Sequence, residues 1–579
     1  MTLAVIPLYV WSLIVFFLPG AAVVAELVRR NKILRPAYAL ILMAASSALA
    51  GYVAFWIYFA SRTGGKLFSY AVVIPSAVIV WRRLHSDNRL RQLFRELVPP
   101  LLYMAAIGSC YIAFMYIPAN PFVMGQDIGD WRLFSYQLPG DNIIPWIFAN
   151  KILHRESLLV IFGDWLSSDR PPLQTGIFLL YWPFKVAGKA GLGFQLISSG
   201  VQSLWICAVW VLLRSLRAGA HRFTQVLAFL APSGFFLYNV LYTWPKLLGA
   251  SFVLFAIAIL ITALLERRPM TSREAVLASL CVGLGFLAHP GIVGTLPCFA
   301  LILLIRKAIS WRAAAWGLAV LLAVCLPWSA YQKYIDPPGN RLVKMHLAAD
   351  GGVDSRSVWE AVKDAYRENP SSVIIQNKLK NIEGIIGPHP LAGYGITPWP
   401  VPGVSGNRGY LEAVEIDQRE FIWNALGFLS LGVLVIPIAL AKKIKLAIPY
   451  SGRLIAVAII NLLIWSLIMF GPRGTITTHS SYGDVLLLMV GLSGFILTLP
   501  QWVGAIVFVL TVANDAVFWL SAFPHGGTFP WRIQWPLLIF ATLGSAALVV
   551  HFFRAFLPRE ESALISSKPS TYSLAAESN

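Results

Sequence analysis

The sequence is poor in charge, and acidic residues are the scarcer kind. Only 13% of its 579 residues are charged, with 27 Asp and Glu against 46 Lys and Arg. A basic composition can indicate a nucleic-acid partner, but these cations are scattered through short stretches between apolar runs. That distribution is typical of loops on the cytoplasmic side of a membrane protein. The sequence therefore argues against nucleic acid as a partner.

Cysteine is also rare, and low-complexity sequence is almost absent. The five cysteines fall inside apolar runs without paired spacing (Cys110, Cys207, Cys281, Cys298 and Cys325). Isolated cysteines in such runs act as small apolar packing residues, so neither a disulfide framework nor a cysteine metal site is predicted. The polar segment 555–579 is predicted to be a disordered cytoplasmic tail.

Long apolar runs are what the sequence has in abundance, since 57% of its residues are hydrophobic. Runs of about 18 or more apolar residues are long enough to cross a bilayer, and only helices satisfy their own backbone there. The predicted fold is an all-α polytopic membrane protein with about 15 transmembrane helices. The predicted spans lie near 3–27, 37–60, 67–81, 97–118, 191–213, 222–240, 246–265, 273–289, 291–306, 312–332, 421–440, 448–470, 481–498, 501–521 and 532–554.

Basic residues predict which side of the membrane each loop occupies. With the N-terminus outside, nearly all short basic loops become cytoplasmic, and only Arg62 and Lys66 are exceptions. This assignment requires 171–213 to cross once, so 171–184 is predicted to be a re-entrant or interfacial helix on the outer side, beside a cavity. The predicted organisation is extra N-terminal helices 1–96, a core 97–332 with an acidic outer loop 119–171, an outer lid 333–420, C-terminal helices 421–554 and the tail.

The acidic outer loop contains the motif GQDIGDW. Its aspartates, Asp127 and Asp130, are three residues apart and would face the same way in a helical turn. One carboxylate could take a proton from a hydroxyl while the other orients it. The pair could also share a divalent cation such as Mg, Mn, Ca or Zn, because hard cations prefer oxygen ligands.

Further polar residues are assigned to the same outer face although they belong to separate hairpins. Cations and hydrogen-bond donors gathered there would hold the charge of a departing phosphate, which suits chemistry on a lipid-linked substrate. The predicted substrate-binding residues are Asp169, Arg170, Gln174, Tyr242, Lys246, His289, Arg341, Lys344, His346 and His479.

These motifs resemble the GT-C superfamily of polyprenyl-phosphate-sugar-dependent glycosyltransferases. The similarity covers roughly residues 97–500 and rests on GQDIGDW, DRPPLQTG, YTWPK and TTHSSYGD. It implies an inverting transfer of a sugar from a polyprenyl-phosphate donor to a glycan, lipid or protein hydroxyl at the periplasmic face of the inner membrane. The implied base matches Asp127 or Asp130, and the intervening Ile128-Gly129, absent from the family pattern, leaves open which one. The three extra predicted helices in 1–96 are a second departure, because the family usually has a single helix before the acidic loop.

Several of these residues also have purely structural interpretations. Asp130 could cap a helix, Asp169 could cap a helix that starts with proline, His289 could close a helix, and Lys246 could snorkel to the interface. Two other functions compete: a transporter or flippase of a lipid-linked substrate, and an O-antigen polymerase or ligase. A structural scaffold is the least favoured alternative.

Overall fold

The computed structural model is built almost entirely from helices. It describes residues 3–30, 32, 34–119, 140–159, 163, 165–184, 190–387, 389–394, 396, 421–471, 481–521 and 532–558. Most of the predicted tail and most of the irregular part of the predicted lid therefore lie outside the described residues.

The first half of the chain forms thirteen of the α-helices described. They are α1 Val5–Arg29, α2 Pro36–Ala60, α3 Arg62–Ser86, α4 Asn88–Met115, α5 Ile144–His154, α6 Leu173–Tyr181, α7 Ala190–Gln202, α8 Trp205–Ser215, α9 Ala220–Leu230, α10 Gly234–Leu241, α11 Lys246–Leu265, α12 Ser272–Ala288 and α13 Pro297–Ile305. Short 3-10 helices cover Gly140–Ile143, Ser167–Asp169, Trp182–Phe184 and Pro290–Thr295.

The second half continues the helical bundle. Its α-helices are α14 Trp311–Tyr334, α15 Arg341–Ala348, α16 Val358–Glu368, α17 Ser371–Ile386, α18 Ile422–Leu426, α19 Gly432–Ala441, α20 Ser451–Ile468, α21 Tyr482–Ile496, α22 Gln501–Ser521 and α23 Trp535–Arg554. Two 3-10 helices lie at Ala392–Tyr394 and Gly427–Leu431. One antiparallel pairing joins β1 Pro118–Ala119 to β2 Arg532–Ile533.

Ten helical segments of the described chain are long and apolar enough to cross a membrane, or eleven if α9 and α10 form one span. The chain is therefore a multi-pass helical membrane protein, as predicted. The count of about 15 spans stays a prediction, as does the orientation of the bundle.

Two predicted spans are interrupted in the structure. The span predicted at 222–240 bends by 80° between α9 and α10, because Pro232 has no amide hydrogen and its ring clashes with the preceding turn. The span predicted at 291–306 begins instead as the 3-10 helix Pro290–Thr295, and α13 has only 9 residues.

Glycines bring α6 against α2. A β-carbon at Gly176 would lie 2.3 Å from the backbone oxygen of Gly51, and one at Gly51 would lie 2.7 Å from the side chain of Ile177. Small residues at such contacts let two membrane helices approach closely. All nine residues of α6 are buried, and at about 1.5 Å per residue the helix is too short to span a bilayer. The glycine of DRPPLQTG, Gly176, therefore serves this packing.

The segment predicted as a lid contains more regular structure than its sequence indicated. Three helices, α15, α16 and α17, precede its proline- and glycine-rich part. The N-terminus of α16 is closed by a capping box between Ser357 and Glu360, a pairing that satisfies exposed amides of the first turn. Through α15 this segment contributes side chains to the candidate site.

Candidate functional site

The turn before α6 is held in place by two carboxylates. Asp169 accepts a hydrogen bond from the backbone N–H of Leu166 at 2.9 Å. Asp336, which follows α14, accepts one from the hydroxyl of Ser167 at 2.5 Å and one from the N–H of Ser168 at 2.9 Å. Both carboxylates are buried. The backbone that leads into Arg170 is therefore fixed.

Two guanidinium groups lie over one indole beside this turn. The guanidinium carbon of Arg170 is 4.7 Å from the ring centre of Trp165, and that of Arg341 is 5.7 Å away. Arg341 also forms an ion pair with Asp169 at 3.3 Å. Arg170 itself is 7% exposed. Burial lowers the pKa of Arg170 to about 10, partly opposed by Tyr242, so its charge persists at neutral pH.

Lys246 brings a second buried cation from the first residue of α11. Its ammonium lies 3.3 Å from the ring centre of Trp244 and 5.5 Å from that of Tyr482. Only 4% of the residue is exposed, so it does not snorkel to the surface as its structural interpretation proposed. Aromatic faces attract a cation electrostatically and most strongly where water is excluded.

Hydrogen bonds tie the link between α10 and α11 to the earlier segments. The side-chain amide of Gln174 donates to the carbonyl of Thr243 at 3.0 Å, and that of Asn142 donates to the carbonyl of Tyr242 at 2.8 Å. Gln174 and Asn142 are both buried. The N-terminus of α6, the 3-10 helix Gly140–Ile143 and the start of α11 are thus held together.

Two histidines, His289 and His346, are affected electrostatically by these cations. The backbone N–H of Gly291 donates to Nδ1 of His289 at 3.1 Å, which is the helix-closing role of its structural interpretation. Lys246, Arg170 and His346 act electrostatically on His289. Burial, and then the charges of Lys246 and Arg170, lower the pKa of His346 from 6.5 to about 4. The imidazole of His346 is therefore neutral at pH 7.

His346 and Gln174 each retain an unused polar atom. Within the described part of the chain, buried Nδ1 of His346 and Oε1 of Gln174 have no hydrogen-bond partner. Buried polar atoms are seldom left unsatisfied unless a ligand or water completes them. Together with Arg170 and Lys246 they form what we call the cationic site. The two cations suit an anion with several oxygen atoms, whereas the free oxygen of Gln174 is suited to accept a hydrogen bond from a hydroxyl of the same ligand.

Of the remaining predicted site residues, two are described by the structure and three are not. Tyr242 is fully buried and packs against Trp244 with ring centres 4.8 Å apart. The ammonium of Lys344 bonds Asp354 at 2.7 Å, which lowers the pKa of that carboxyl after the larger effect of Arg356. A substrate contact by Lys344 stays a prediction. Asp127, Asp130 and His479 lie outside the described residues.

Three contributing residues were missed by sequence reasoning. Asp336, in the segment IDPPG, had a signal, because a carboxylate before two prolines at the end of a span is unusual. Trp165 was given no role in the sequence analysis. Asp484 lies in TTHSSYGD and is fully buried, accepting hydrogen bonds from Thr295 and Asn461, both at 3.0 Å.

The described residues contain no group of three His, Cys, Asp or Glu side chains suited to a metal ion. The metal ligands predicted from the sequence, Asp127 and Asp130, are not among those residues. Binding of a divalent cation by these two aspartates therefore stays a prediction.

Comparisons with known proteins identified no relative of this chain. No family model matches the chain, and neither the curated proteins nor the solved structures contain a match to it.

Proposed function

We propose that this protein is an inverting membrane glycosyltransferase of the GT-C type. It would move a sugar from a polyprenyl-phosphate donor to a hydroxyl acceptor on a glycan, lipid or protein at the periplasmic face of the inner membrane. The observation that carries the proposal is that two buried cations, Arg170 and Lys246, lie on segments joined by the hydrogen bond from Gln174 to Thr243.

The cationic site suits the leaving group of such a transfer. When the bond from sugar to phosphate breaks, negative charge grows on the phosphate oxygens, and cations placed beforehand stabilise it. The guanidinium of Arg170 matches a phosphate through paired N–H donors, while the ammonium of Lys246 acts as a point charge. Burial strengthens both interactions because the surroundings screen charge poorly.

The acceptor needs a base, and the proposal assigns this role to Asp127 or Asp130. Their segment begins after β1, whose partner is Arg532–Ile533, and ends at the 3-10 helix containing Asn142. Asn142 bonds the carbonyl of Tyr242, four residues before Lys246. Both ends of the acidic segment are therefore fixed to the bundle, and one end is fixed beside the cationic site. A divalent cation, if used, would be held by the two aspartates and would help to hold donor oxygens.

The first test is sugar transfer by aspartate variants. Asp127→Asn and Asp130→Asn keep side-chain size but remove basicity, so the variant lacking the base should lose about 100-fold or more in turnover. Donor binding should change little, because the cations remain. Transfer from a panel of undecaprenyl-phosphate-linked hexoses, with product detected by mass spectrometry, measures turnover and donor KM separately.

Lys246→Met tests donor binding, and Lys333→Met is its control. Lys246→Met removes a buried cation and should weaken donor binding as well as turnover, whereas Lys333, exposed at the end of α14, should tolerate the same change. Normal transfer by both asparagine variants, each folded in the membrane, would refute the assignment of the base.

A transporter or flippase of a lipid-linked substrate is the second candidate. The breaks at α9–α10 and at Pro290–Thr295 favour it, because transporters often bind substrates where membrane helices are interrupted. The protein in proteoliposomes would decide between the two. Movement of the labelled lipid across the bilayer without covalent product would support transport, and sugar transfer would support the enzyme.

The pKa of His346 gives a prediction about pH. Between the ordinary pKa of 6.5 and the folded value of about 4, the unfolded chain binds a proton that the folded chain lacks. Acidification through this window therefore destabilises the unliganded protein by about 1–3 kcal/mol. A bound phosphate would favour the protonated imidazole, so donor affinity should rise as pH falls from about 7 to 5.

Thermal unfolding and donor binding across this pH range test both effects. His346→Gln should remove both, whereas His154→Gln, at an exposed position in the outer loop, should leave them unchanged. An unchanged pH profile in His346→Gln would show that another group titrates.

A further inference from the structure

A cavity lies at the end of the bundle opposite to the cationic site. Its volume is about 970 Å³, and its lining includes Leu264 and Leu265 at the end of α11. Lys246 begins the same helix of 20 residues, and a helix of that length spans about 30 Å. The two sites are therefore separated by the thickness of a membrane core.

Basic side chains from four separate parts of the chain line this cavity. They follow α8, α11 and α13 and occur in the first turn of α20. The basic lining residues are Arg217, Arg267, Arg268, Arg306, Lys307 and Arg453.

Most of these cations have no carboxylate partner. Arg268 pairs with Glu266 and Glu274 at 2.8 and 2.6 Å. The other five form no ion pair within the described part of the chain. The bias of cytoplasmic loops toward Lys and Arg is enough to explain why these loops are basic, because that bias is met wherever in a loop the basic residues lie. The same bias does not explain why cations from four segments surround one cavity.

The cavity walls are fixed by the backbone. The N–H of Met270 donates to the carbonyl of Ala308 at 2.8 Å, joining the loop after α11 to the loop after α13. Met270 and Ala308 are buried at this contact. A site whose walls are already in place loses less entropy when a ligand binds.

The other part of the lining is apolar and continues to the lipid-facing side of the bundle. Phe299 and Ile302 of α13 line the cavity together with Leu454 and Val457 of α20. Farther along α13, Leu304 and Ile305 are 72% and 68% exposed. A ligand bound here would have its charged part among the cations and its apolar part along α13.

We infer that this cavity binds the phosphate headgroup of an anionic membrane lipid, with the acyl chains lying along α13. Basic pockets between membrane helices are suited to such headgroups, because guanidinium groups bind phosphate oxygens in pairs. The apolar wall favours a lipid over a free phosphate ion, which would leave that wall uncovered. This binding is separate from the proposed sugar transfer and does not depend on it.

Titration of the purified full-length protein with dioctanoyl phosphatidic acid tests the inference. Native mass spectrometry counts bound lipid, and dioctanoyl phosphatidylcholine serves as the zwitterionic comparison. The triple variant Arg217→Gln, Arg267→Gln, Arg306→Gln should bind phosphatidic acid at least about tenfold more weakly. The matched control Arg82→Gln, Arg83→Gln, Arg95→Gln has the same change in charge outside the cavity and should bind like the unaltered protein.

A charge-preserving triple variant separates binding from folding. Arg217→Lys, Arg267→Lys, Arg306→Lys should retain most of the affinity, because it keeps the cations. Equal weakening in the cavity and control triples would overturn the inference, as would equal binding of phosphatidylcholine. Inorganic phosphate binding as tightly as phosphatidic acid would overturn the assignment to a lipid.

Discussion

Replacing Asp336 by alanine is expected to lower sugar transfer by about 100-fold, although this carboxylate is a positioning group and not a substrate contact. It fixes Ser167 and Ser168, the two residues before Asp169 and Arg170. Without it, the buried N–H of Ser168 loses its acceptor and the hydroxyl of Ser167 keeps only Tyr331 as a partner, so the turn that presents Arg170 relaxes. Misplacement of a binding group by about 1 Å is enough for a loss of this size. Turnover and donor KM, with hydrogen exchange of segment 166–170, measure the effect.

Two further variants distinguish positioning from general destabilisation. Asp336→Asn keeps an oxygen that can accept both hydrogen bonds, so it should restore most of the turnover. Asp350→Ala removes a carboxylate from the segment predicted as a lid, where Asp350 pairs with Arg356 and accepts a hydrogen bond from the N–H of Gly352, and should have little effect on transfer. Normal exchange in 166–170 together with normal turnover in Asp336→Ala would contradict the assigned role.

The second large effect is expected from Asn461→Leu on stability. The side chain of Asn461 joins three elements: its amide donates to Asp484 at 3.0 Å and to the carbonyl of Thr295 at 2.9 Å, and its oxygen accepts from the N–H of Cys298 at 3.0 Å. Leucine has a similar size but satisfies none of these groups. The loss should destabilise the protein by about 2–4 kcal/mol, because several buried polar groups lose a partner together.

Asn514→Leu is a matched control within another apolar helix. The structure gives Asn514 a single side-chain hydrogen bond, to the carbonyl of Gly393 at 2.9 Å, so about 1 kcal/mol or less is expected. Thermal unfolding of both variants in the same detergent gives the comparison. Similar melting temperatures for the two variants would show that the network around Asp484 adds little.

Sequence reasoning located the long spans well but missed their interruptions. The run 246–265 coincides with α11, and 37–60 differs from α2 by one residue at its start, because uninterrupted apolar residues leave no alternative within lipid. The bend at Pro232 was missed because apolar residues continue on both sides of it. Average hydropathy does not register the loss of one amide hydrogen.

The candidate site shows a similar division. Arg170 and Lys246 were predicted to lie together from sidedness and motif, and in the structure the hydrogen bond from Gln174 to Thr243 joins their segments. Asp336 and Asp484 were not predicted, since each is a single acid whose partners are distant in sequence: Ser167 precedes Asp336 by 169 positions and Thr295 precedes Asp484 by 189. Such pairings depend on how helices pack, which no local pattern contains.

The close approach of α6 and α11 at their first residues has one more consequence. Leu173 and Lys246 each begin a helix, and the bond from Gln174 to Thr243 holds these two beginnings side by side. Peptide dipoles leave a partial positive charge at that end of a helix. Unlike an imidazole, a peptide group does not titrate. Part of the attraction for an oxyanion is therefore built into the main chain and persists at pH 7, where His346 is neutral.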